Sequence, residues 1–233
     1  MLNPEGRDLL FDEQTALGEL ACVLRRSCAT VADVLDRSTC FPQGRGSATV
    51  QWCCSDAYKT QDGPCLLVAH SYGGSVITEA GDDPSVVGLV YIAAHMPDVG
   101  EKESEDGKRF PSDLLKSTAI KKTPDGFTYI DPAQFHELFA ADLSAEQAEF
   151  MARSQVFNLA ENFSATITRA AWRTKPSWML VAGSDRTIKP ELERWYATRA
   201  TSHKVEVAGA SHVVYISHPK EVAALIEEAA RSS

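Results

Sequence analysis

Cysteine is missing from most of this 233-residue chain, since none of its six cysteines lies beyond Cys65. The spacings between them do not form the paired C-x-x-C motifs of a zinc site. The first residues include Pro4, Glu5 and Asp8 in place of the basic patch and apolar stretch of a secretory signal. We therefore expect reduced thiols rather than a disulfide framework, and a cytoplasmic protein.

Long apolar runs and clusters of basic residues are missing as well. The longest uninterrupted apolar run spans residues 89–94, far short of the ~20 residues that a membrane-spanning helix needs. The formal charge is -9, from 23 Lys and Arg against 32 Asp and Glu, and no basic run interrupts it. Nucleic acids and membranes are therefore not expected as partners.

The composition that is present is typical of a globular protein. Hydrophobic residues make up 44% of the chain and charged residues 24%, which excludes the disordered and collagen-like classes. At this length we expect one large domain or two small ones, with roughly 70–75% of the unfolded surface buried on folding.

An alternation of strands and helices begins near residue 63. Residues 64–69 predict a strand buried on both faces, residues 75–80 predict a helix, and residues 86–94 predict a second buried strand. Strand, helix and strand in this order predict parallel pairing with a right-handed crossover. The alternation resumes after residue 172, with a strand at 178–182, a helix at 190–199, a strand at 204–207 and a closing helix at 219–231.

Residues 100–172 interrupt this alternation. The segment opens with a polar stretch, and Asp131 followed by Pro132 predicts the start of a helix. Ser144 and Gln147 have the spacing of a capping box, which predicts a second helix. We interpret the segment as a helical insertion in an α/β core.

A nucleophile motif follows the first predicted strand of this core. Ser71 lies in the sequence Ala69-His70-Ser71-Tyr72-Gly73, with small residues two positions away on either side. This pattern is typical of a nucleophile elbow, in which only small neighbours leave room for a strained serine backbone, although Ala69 stands where glycine is usual. Ser71 is therefore the candidate nucleophile, and the backbone N–H of Tyr72 is a candidate oxyanion donor.

A serine nucleophile needs a base, and the base needs a carboxylate to orient it. Asp185 and His212 each follow one of the later predicted strands. Because the loops after parallel strands lie at one edge of a sheet, we expect Ser71, Asp185 and His212 to meet there as a catalytic triad. Asp98, which follows an earlier strand, is the alternative acid.

From about residue 61 to its C-terminus the chain resembles the bacterial-type α/β-hydrolases of the small esterase and hydroxynitrile-lyase-like group. The resemblance is carried by residues 67–74, 176–188 and 210–215, in the family's order of Ser, Asp and His. It implies an α/β-hydrolase fold, which is a mostly parallel sheet flanked by helices. The implied divisions are an atypical N-terminal segment at 1–60, a core at 61–99 and 173–233, and a helical cap at 100–172.

The resemblance also implies a serine hydrolase that cleaves a small carboxylic ester through an acyl-enzyme. No motif implies a metal or an organic cofactor. Hydroxynitrile lyase activity is an alternative, although those lyases carry Lys directly after the catalytic histidine, where this chain has Val213. The cap would select the substrate, and its aromatic residues either line the pocket or pack within the cap: Phe127, Tyr129, Phe135, Phe139 and Trp172. His70 is expected to be structural or to line the pocket. The other histidines are expected in a loop, in the cap and at a helix start: His95, His136 and His218, respectively.

Residues 1–60 depart from the family pattern. The family takes its second oxyanion donor from a His-Gly loop and places about four strands before its nucleophile, but no His-Gly dipeptide occurs in this chain. Residues 13–26 predict an amphipathic helix and residues 48–52 a short strand. We interpret the segment as the product of out-of-frame translation or an altered exon, or as the rebuilt N-terminus of a truncated member with residues 44–46 as the donor loop. A catalytically impaired, hydrolase-like binding module is the second function hypothesis.

Overall fold

The computed structural model describes residues 63–233 together with the strand Ala21–Arg25. The strands are, in chain order, β1 Ala21–Arg25, β2 Cys65–Ser71, β3 Val86–Ala94, β4 Ile120–Lys122, β5 Phe127–Ile130, β6 Asn158–Leu159, β7 Ser177–Ala182 and β8 His203–Val207. The helices are α1 Gly73–Ala80, α2 Glu103–Arg109, α3 Asp113–Lys116, α4 Pro132–Phe139, α5 Ala145–Arg153, α6 Pro190–Arg199, α7 Val214–Ser217 and α8 Pro219–Ser232. Two 3₁₀ segments lie at Ala160–Ser164 and Ala171–Arg173.

The main sheet contains five of the described strands, in the order β1-β2-β3-β7-β8. Strands β2, β3, β7 and β8 are parallel, and β1 pairs antiparallel with β2. The central strands β2, β3 and β7 are mostly apolar and buried at nearly every position, because helices cover both faces of the sheet. The parallel α/β sheet predicted from the sequence is therefore confirmed.

Side chains alternate between the two faces of this sheet. Leu66 packs on one face in a cluster with Leu225 of α8. Its neighbour Leu67 packs on the other face in a cluster with Ile77 of α1 and Leu192 of α6. Because each helix returns the chain to the same end of the sheet, the carboxyl ends of β2, β7 and β8 lie at one edge.

Between β3 and β7 the chain forms helices α2 to α5 and a small antiparallel sheet with the order β4-β5-β6. Asp131 caps α4 by accepting a hydrogen bond from the backbone N–H of Ala133, and Ser144 and Gln147 form the predicted capping box of α5. The small sheet differs from the helical insertion expected from the sequence. Its strands have only two to four residues, too few to show a period-2 pattern.

The strand β1 corrects the prediction made for the N-terminal segment. The predicted helix at 13–26 is wrong over Ala21–Arg25, whose backbone pairs with β2. A short apolar run fits the helix and strand periods equally well, and the open edge of β2 supplies the backbone partners that decide in favour of a strand. The remainder of residues 1–60, including the expected strand at 48–52 and the loop at 44–46, lies outside the described residues.

The longest described helix is α8, with 14 residues. In the part of the chain that the structure describes, no helix is both long and apolar enough to cross a membrane.

Candidate active site

Ser71 is the last residue of β2, at the turn into α1. Its backbone φ is 55°, a left-handed conformation that a serine keeps only when its surroundings impose it. The adjacent strand helps to impose it, because the carbonyl of Ser71 accepts a hydrogen bond from the backbone N–H of His95 at 3.1 Å. Gly74 permits this close approach, since a Cβ at that position would lie 2.0 Å from the carbonyl oxygen of His95. The tight strand-to-helix turn predicted from the sequence is present.

Two hydrogen bonds join Ser71, His212 and Asp185. His212 Nε2 lies 2.9 Å from Ser71 Oγ, and His212 Nδ1 lies 2.6 Å from Asp185 Oδ2. Ser71 ends β2, Asp185 follows β7 and His212 follows β8, so the parallel sheet brings them to its carboxyl edge. The structure thus brings together the three side chains that the sequence singled out.

The loop after β7 holds the Asp185 carboxylate in place. Asp185 Oδ1 accepts hydrogen bonds from the backbone N–H groups of Thr187, at 2.6 Å, and Ile188, at 3.0 Å. Its other oxygen, Oδ2, is bonded to His212 Nδ1. Because the carboxylate accepts a hydrogen bond from Nδ1–H, the proton stays on Nδ1 and the lone pair of Nε2 faces the Ser71 hydroxyl.

His70 contacts His212 from the residue directly before Ser71. Its Nε2 donates a hydrogen bond to the backbone carbonyl of His212 at 2.9 Å, and its ring lies 4.5 Å from the His212 ring and 4.8 Å from that of Tyr215. Burial, reinforced by the charge that His212 can carry, lowers the pKa of His70 well below its ordinary value. A neutral imidazole that supports the His212 backbone is the structural role expected for this residue.

Asp142, in the loop between α4 and α5, also contacts the loop that carries His212. Its carboxylate accepts hydrogen bonds from the backbone N–H of Ser211, at 2.9 Å, and from the Ser211 hydroxyl. Burial alone would raise the pKa of Asp142, but hydrogen bonds, first those from Ser211 and then that from the Ser217 side chain, lower it below its ordinary value. No sequence signal distinguishes this residue, because an acidic side chain in a polar loop is typical of a solvated surface.

Asp98 does not join this hydrogen-bond chain. Its two carboxylate oxygens accept hydrogen bonds from Arg173 Nε and Nη2, both at 2.7 Å, and the Arg173 side chain is more than half exposed. The His212 ring is bonded to Asp185 instead. The alternative acid of the sequence analysis is therefore the partner of a surface ion pair.

Tyr72, the candidate oxyanion donor, is the N-cap residue of α1, and its carbonyl accepts the backbone N–H of Ser75 at 2.9 Å. Backbone N–H groups at a helix start lie at the positive end of the helix dipole, which favours a nearby anion. The ring of Tyr72 packs against that of Phe163 at 5.6 Å. The other candidate donor loop, at 44–46, lies outside the described residues.

The remaining sequence candidates take part in local contacts. Of the five aromatic candidates, Phe139 contacts the candidate site, because its ring packs edge-on against His212 at 4.7 Å. The others lie elsewhere: Phe135 packs against Phe139, Tyr129 stacks on Phe157, Trp172 donates to the carbonyl of Pro97, and Phe127 is half-buried in β5. The histidines are held similarly: His95 beside Tyr196 and Glu103, His136 at the carbonyl of Leu143, and His218 at Ser217.

Glu193 also lies close to the candidate site, although it is not among the candidates from the sequence. It is fully buried on α6, and its Oε2 accepts the backbone N–H of Ala182 at 3.1 Å. Burial, followed by the charge of Asp185, raises the pKa of Glu193 well above its ordinary value. No sequence signal distinguishes it, because glutamates in an amphipathic helix are usually exposed. Residues 63–233 hold no group of three or more His, Cys, Asp or Glu side chains that could bind a metal ion.

Known proteins share both sequence and fold with this chain. A probable hydrolase from Phoma sp. is 27% identical over 180 residues, which cover 71% of this chain and 69% of that protein. Among solved structures, a pyrethroid hydrolase from Sphingobium faniae superimposes with a TM-score of 0.66 and 19% identity over 81% of this chain and 79% of its own. A methylesterase from Arabidopsis gives a TM-score of 0.64 and 14% identity over 78% of this chain and 77% of its own.

The model of one protein family, described as the alpha/beta hydrolase family, matches residues 16–225. This match begins well before residue 61, where the resemblance found in the sequence starts. It spans most of the chain, and the expected α/β-hydrolase fold is confirmed by the solved structures that share it. The chain therefore belongs to the α/β hydrolase family of enzymes.

Proposed function

We propose that the chain is a serine hydrolase that cleaves small carboxylic esters, with Ser71 as nucleophile, His212 as general base and acid, and Asp185 as the residue that orients His212. The observation that carries this proposal is the unbroken set of hydrogen bonds from Asp185 through His212 to Ser71 Oγ, at 2.6 and 2.9 Å. A serine hydroxyl becomes nucleophilic only when a neighbouring base removes its proton. The distance of 2.9 Å between His212 Nε2 and Ser71 Oγ lies within the range that proton transfer requires.

The first half of the reaction forms an acyl-enzyme. His212 Nε2 takes the hydroxyl proton of Ser71 while Oγ forms a bond to the ester carbonyl carbon. The carbonyl oxygen becomes an oxyanion, and we assign its stabilisation to the backbone N–H of Tyr72, at the start of α1. A single donor of this kind contributes about 3–4 kcal/mol to the transition state. His212 then gives the proton to the alkoxide oxygen as the carbon–oxygen bond breaks, and the alcohol leaves.

The second half releases the acid. A water molecule gives a proton to His212 Nε2 while its oxygen attacks the acyl carbon. Collapse of the new tetrahedral intermediate breaks the bond to Ser71 Oγ, and His212 returns the proton to the serine. Because Asp185 and His212 are buried, the Asp185 carboxylate stabilises the imidazolium that forms in each half with little screening by water.

Apolar side chains near the site favour a small apolar ester as substrate. Phe139 packs against His212, and Tyr72 and Val76 form a cluster with Phe163. Phe139 and Phe163 both belong to the segment 100–172, and we assign to this segment the role of a cap that selects the substrate. Two similar proteins, named a pyrethroid hydrolase and a methylesterase, support ester hydrolysis over hydroxynitrile lyase activity. Val213 agrees with this choice, since it is fully buried and carries no ammonium group.

A fluorophosphonate probe tests the proposal, because it reacts covalently with an activated serine. Peptide mapping of the purified chain should place the label on Ser71, and the same preparation should hydrolyse a short-chain p-nitrophenyl ester. The variant Ser71→Ala should lose both label and turnover. Ser184→Ala is the matched control, since Ser184 is exposed in the loop next to Asp185 and its loss should change neither readout.

A well-folded chain that takes up no label and turns over no ester would contradict the proposal. A cooperative melting transition establishes that the preparation is folded. If the folded chain is neither labelled nor active, a hydrolase-like binding module describes it better, because the fold would then be present without the catalytic activity.

A further inference from the structure

Glu193 lies where a carboxyl group is hardest to ionise. It is fully buried on the face of α6 that packs against the main sheet. Its Oε2 accepts one hydrogen bond, from the backbone N–H of Ala182 at 3.1 Å. Ala182 is the last residue of β7, only three positions before Asp185. The carboxyl group therefore sits directly behind the loop that presents the acid of the proposed triad.

The second oxygen of Glu193 shows that this group differs from an ordinary buried carboxylate. No N–H or O–H group of the described residues donates to Glu193 Oε1 although this oxygen is buried, and the carboxylate of Asp185 is near enough for its charge to act on Glu193. An ionised carboxylate only accepts hydrogen bonds. A buried carboxyl oxygen that meets no donor, beside a second carboxyl group, is satisfied when its own group carries a proton and donates it to the neighbour.

The donors around the two groups decide which of them carries it. Asp185 accepts hydrogen bonds from His212 Nδ1, from Thr187 N and from Ile188 N, all of which stabilise its ionised form. Glu193 accepts from Ala182 N alone. The proton therefore belongs to Glu193, in agreement with the raised pKa that its burial and the neighbouring Asp185 charge produce.

The charged groups on the other side of α6 do not reverse this assignment. Arg194, the next residue, favours the ionised form of Glu193 through its charge. Its guanidinium, however, donates two hydrogen bonds to Glu206 at 3.0 and 2.7 Å, so much of its charge is already compensated. The charge of Asp185 acts on Glu193 in the opposite sense, and Asp185 is in turn hydrogen-bonded to His212.

We propose that Glu193 is held as a neutral carboxylic acid that donates a hydrogen bond to Asp185, and that it acts as a positioning residue for the triad. The proposal rests on the serine-hydrolase function proposed above. With this proton in place, Asp185 has a further donor and the pair carries a single negative charge opposite His212. Without it, two adjacent buried carboxylates would repel each other and disturb the Asp185–His212 bond.

Two substitutions separate this role from simple packing. Glu193→Gln keeps a carbonyl that can accept from Ala182 and an amide that can donate to Asp185. Glu193→Met has a similar size but no donor. We expect Glu193→Met to lower kcat about tenfold, the effect of losing one hydrogen bond to a charged group, and to move the acidic limb of the kcat/KM profile to higher pH. Glu193→Gln should restore most of kcat and keep the limb at its wild-type position.

A control on the same helix removes the effect of packing. Leu192→Ala creates a cavity in the core one residue before Glu193, because the Leu192 side chain is buried, and it removes no polar group. It should lower the melting temperature without moving the acidic limb. If Glu193→Met folds and keeps both kcat and the wild-type limb, Glu193 is not a positioning residue and the proposal is overturned.

Infrared spectroscopy tests the proton itself, whether or not an ester is turned over. A difference spectrum of the wild type minus Glu193→Gln at neutral pH should show the C=O stretching band of a protonated carboxyl, since other carboxyl groups cancel. A carboxylate band in its place, together with a shift of the acidic limb of the Glu193→Gln kcat/KM profile to lower pH, would mean that Glu193 is ionised. Such a result would overturn the proposal. If the chain shows the band of a protonated carboxyl but no esterase activity, the result supports a neutral Glu193 and contradicts only the proposed function.

Discussion

Asp142 accepts hydrogen bonds from both the backbone N–H and the hydroxyl of Ser211. Ser211 directly precedes His212, so a residue of the segment 100–172 fixes the loop that presents the proposed base. His218, on the far side of the same loop, has its Nδ1 3.8 Å from Asp142 Oδ2. The segment that we propose as a cap is thereby coupled to the position of His212.

Replacing Asp142 by alanine should destabilise the fold and slow the reaction. Two charge-assisted hydrogen bonds are lost, and we expect the free energy of unfolding to fall by about 1–3 kcal/mol. Because the bonds act on the residue before His212, kcat should fall more than KM rises. Chemical denaturation and steady-state kinetics measure the two effects. Asp125→Ala, which removes a carboxylate bonded to Thr123 in an exposed turn, is the control, and equal effects in both variants would contradict this coupling.

Asp185 and Asp98 should respond very differently to conversion into asparagine. Asp185→Asn cannot hold the required tautomer of His212, and in serine proteases this change lowers kcat by on the order of 10⁴-fold. Asp98→Asn weakens a partly exposed ion pair with Arg173, which is worth less than about 1 kcal/mol, and should leave most of the turnover. Ester hydrolysis by the two purified variants measures the contrast. A larger loss in Asp98→Asn would assign the acid role to Asp98.

The stability of the fold should depend on pH through His70. Burial and the charge of His212 hold the pKa of His70 in the folded chain well below its ordinary value. In the unfolded chain this pKa is about 6.5. At pH values between the two, the unfolded state therefore binds more protons than the folded state. The stabilisation is therefore present above pH ~6.5 and is lost as the pH falls.

Substituting His70 by glutamine should remove this contribution while keeping an amide that can donate to the His212 carbonyl. We expect the fall in unfolding free energy below pH ~6.5 to become shallower by up to about 1.4 kcal/mol per pH unit. Denaturant titrations at several pH values between 7 and 5 measure the slope. His203→Gln, at a half-exposed histidine of β8, is the control, and an unchanged slope in His70→Gln would show that His70 is not held neutral.

Two glycine-to-alanine substitutions should differ strongly in their effect on the stability of the fold. At Gly74 the new Cβ would lie 2.0 Å from the carbonyl oxygen of His95, and we expect a loss of about 3 kcal/mol or more, because backbone must move. At Gly107, in α2, the nearest atom is the end of the half-exposed Leu115 side chain at 2.9 Å, which can rotate away. Alanine there should be neutral or stabilise by up to about 1 kcal/mol through helix propensity. Thermal unfolding of both variants decides, and similar stability in Gly74→Ala and Gly107→Ala would refute the argument.

The three residues of the proposed triad could be selected from the sequence because each follows a recognisable strand. Ser71 comes after the apolar run of β2, Asp185 after that of β7, and His212 after β8. Parallel strands separated by helices place such residues at one edge of the sheet. The main sheet and the positions of these side chains therefore follow from local patterns and a general rule of topology.

Other features escaped the sequence because their signals are short or ambiguous. The strands β4, β5 and β6 are too brief for a periodic pattern, and the run at Ala21–Arg25 fits helix and strand equally until β2 provides an edge. Glu193 and Asp142 have the ordinary sequence context of solvated acids, although the fold buries one completely and the other in large part.

By itself, the sequence determined which side chains are candidates for the proposed chemistry and in which order they appear along an α/β chain, since hydrophobic periodicity and turn residues act over short distances. Only the tertiary structure decided the surroundings of those side chains: the left-handed backbone of Ser71, the contact of Asp142 with Ser211 and the burial of Glu193 behind Asp185. These features depend on contacts between residues far apart in the chain. Hydrogen bonding and desolvation at such contacts are set by the packing of the whole fold and not by neighbours in sequence.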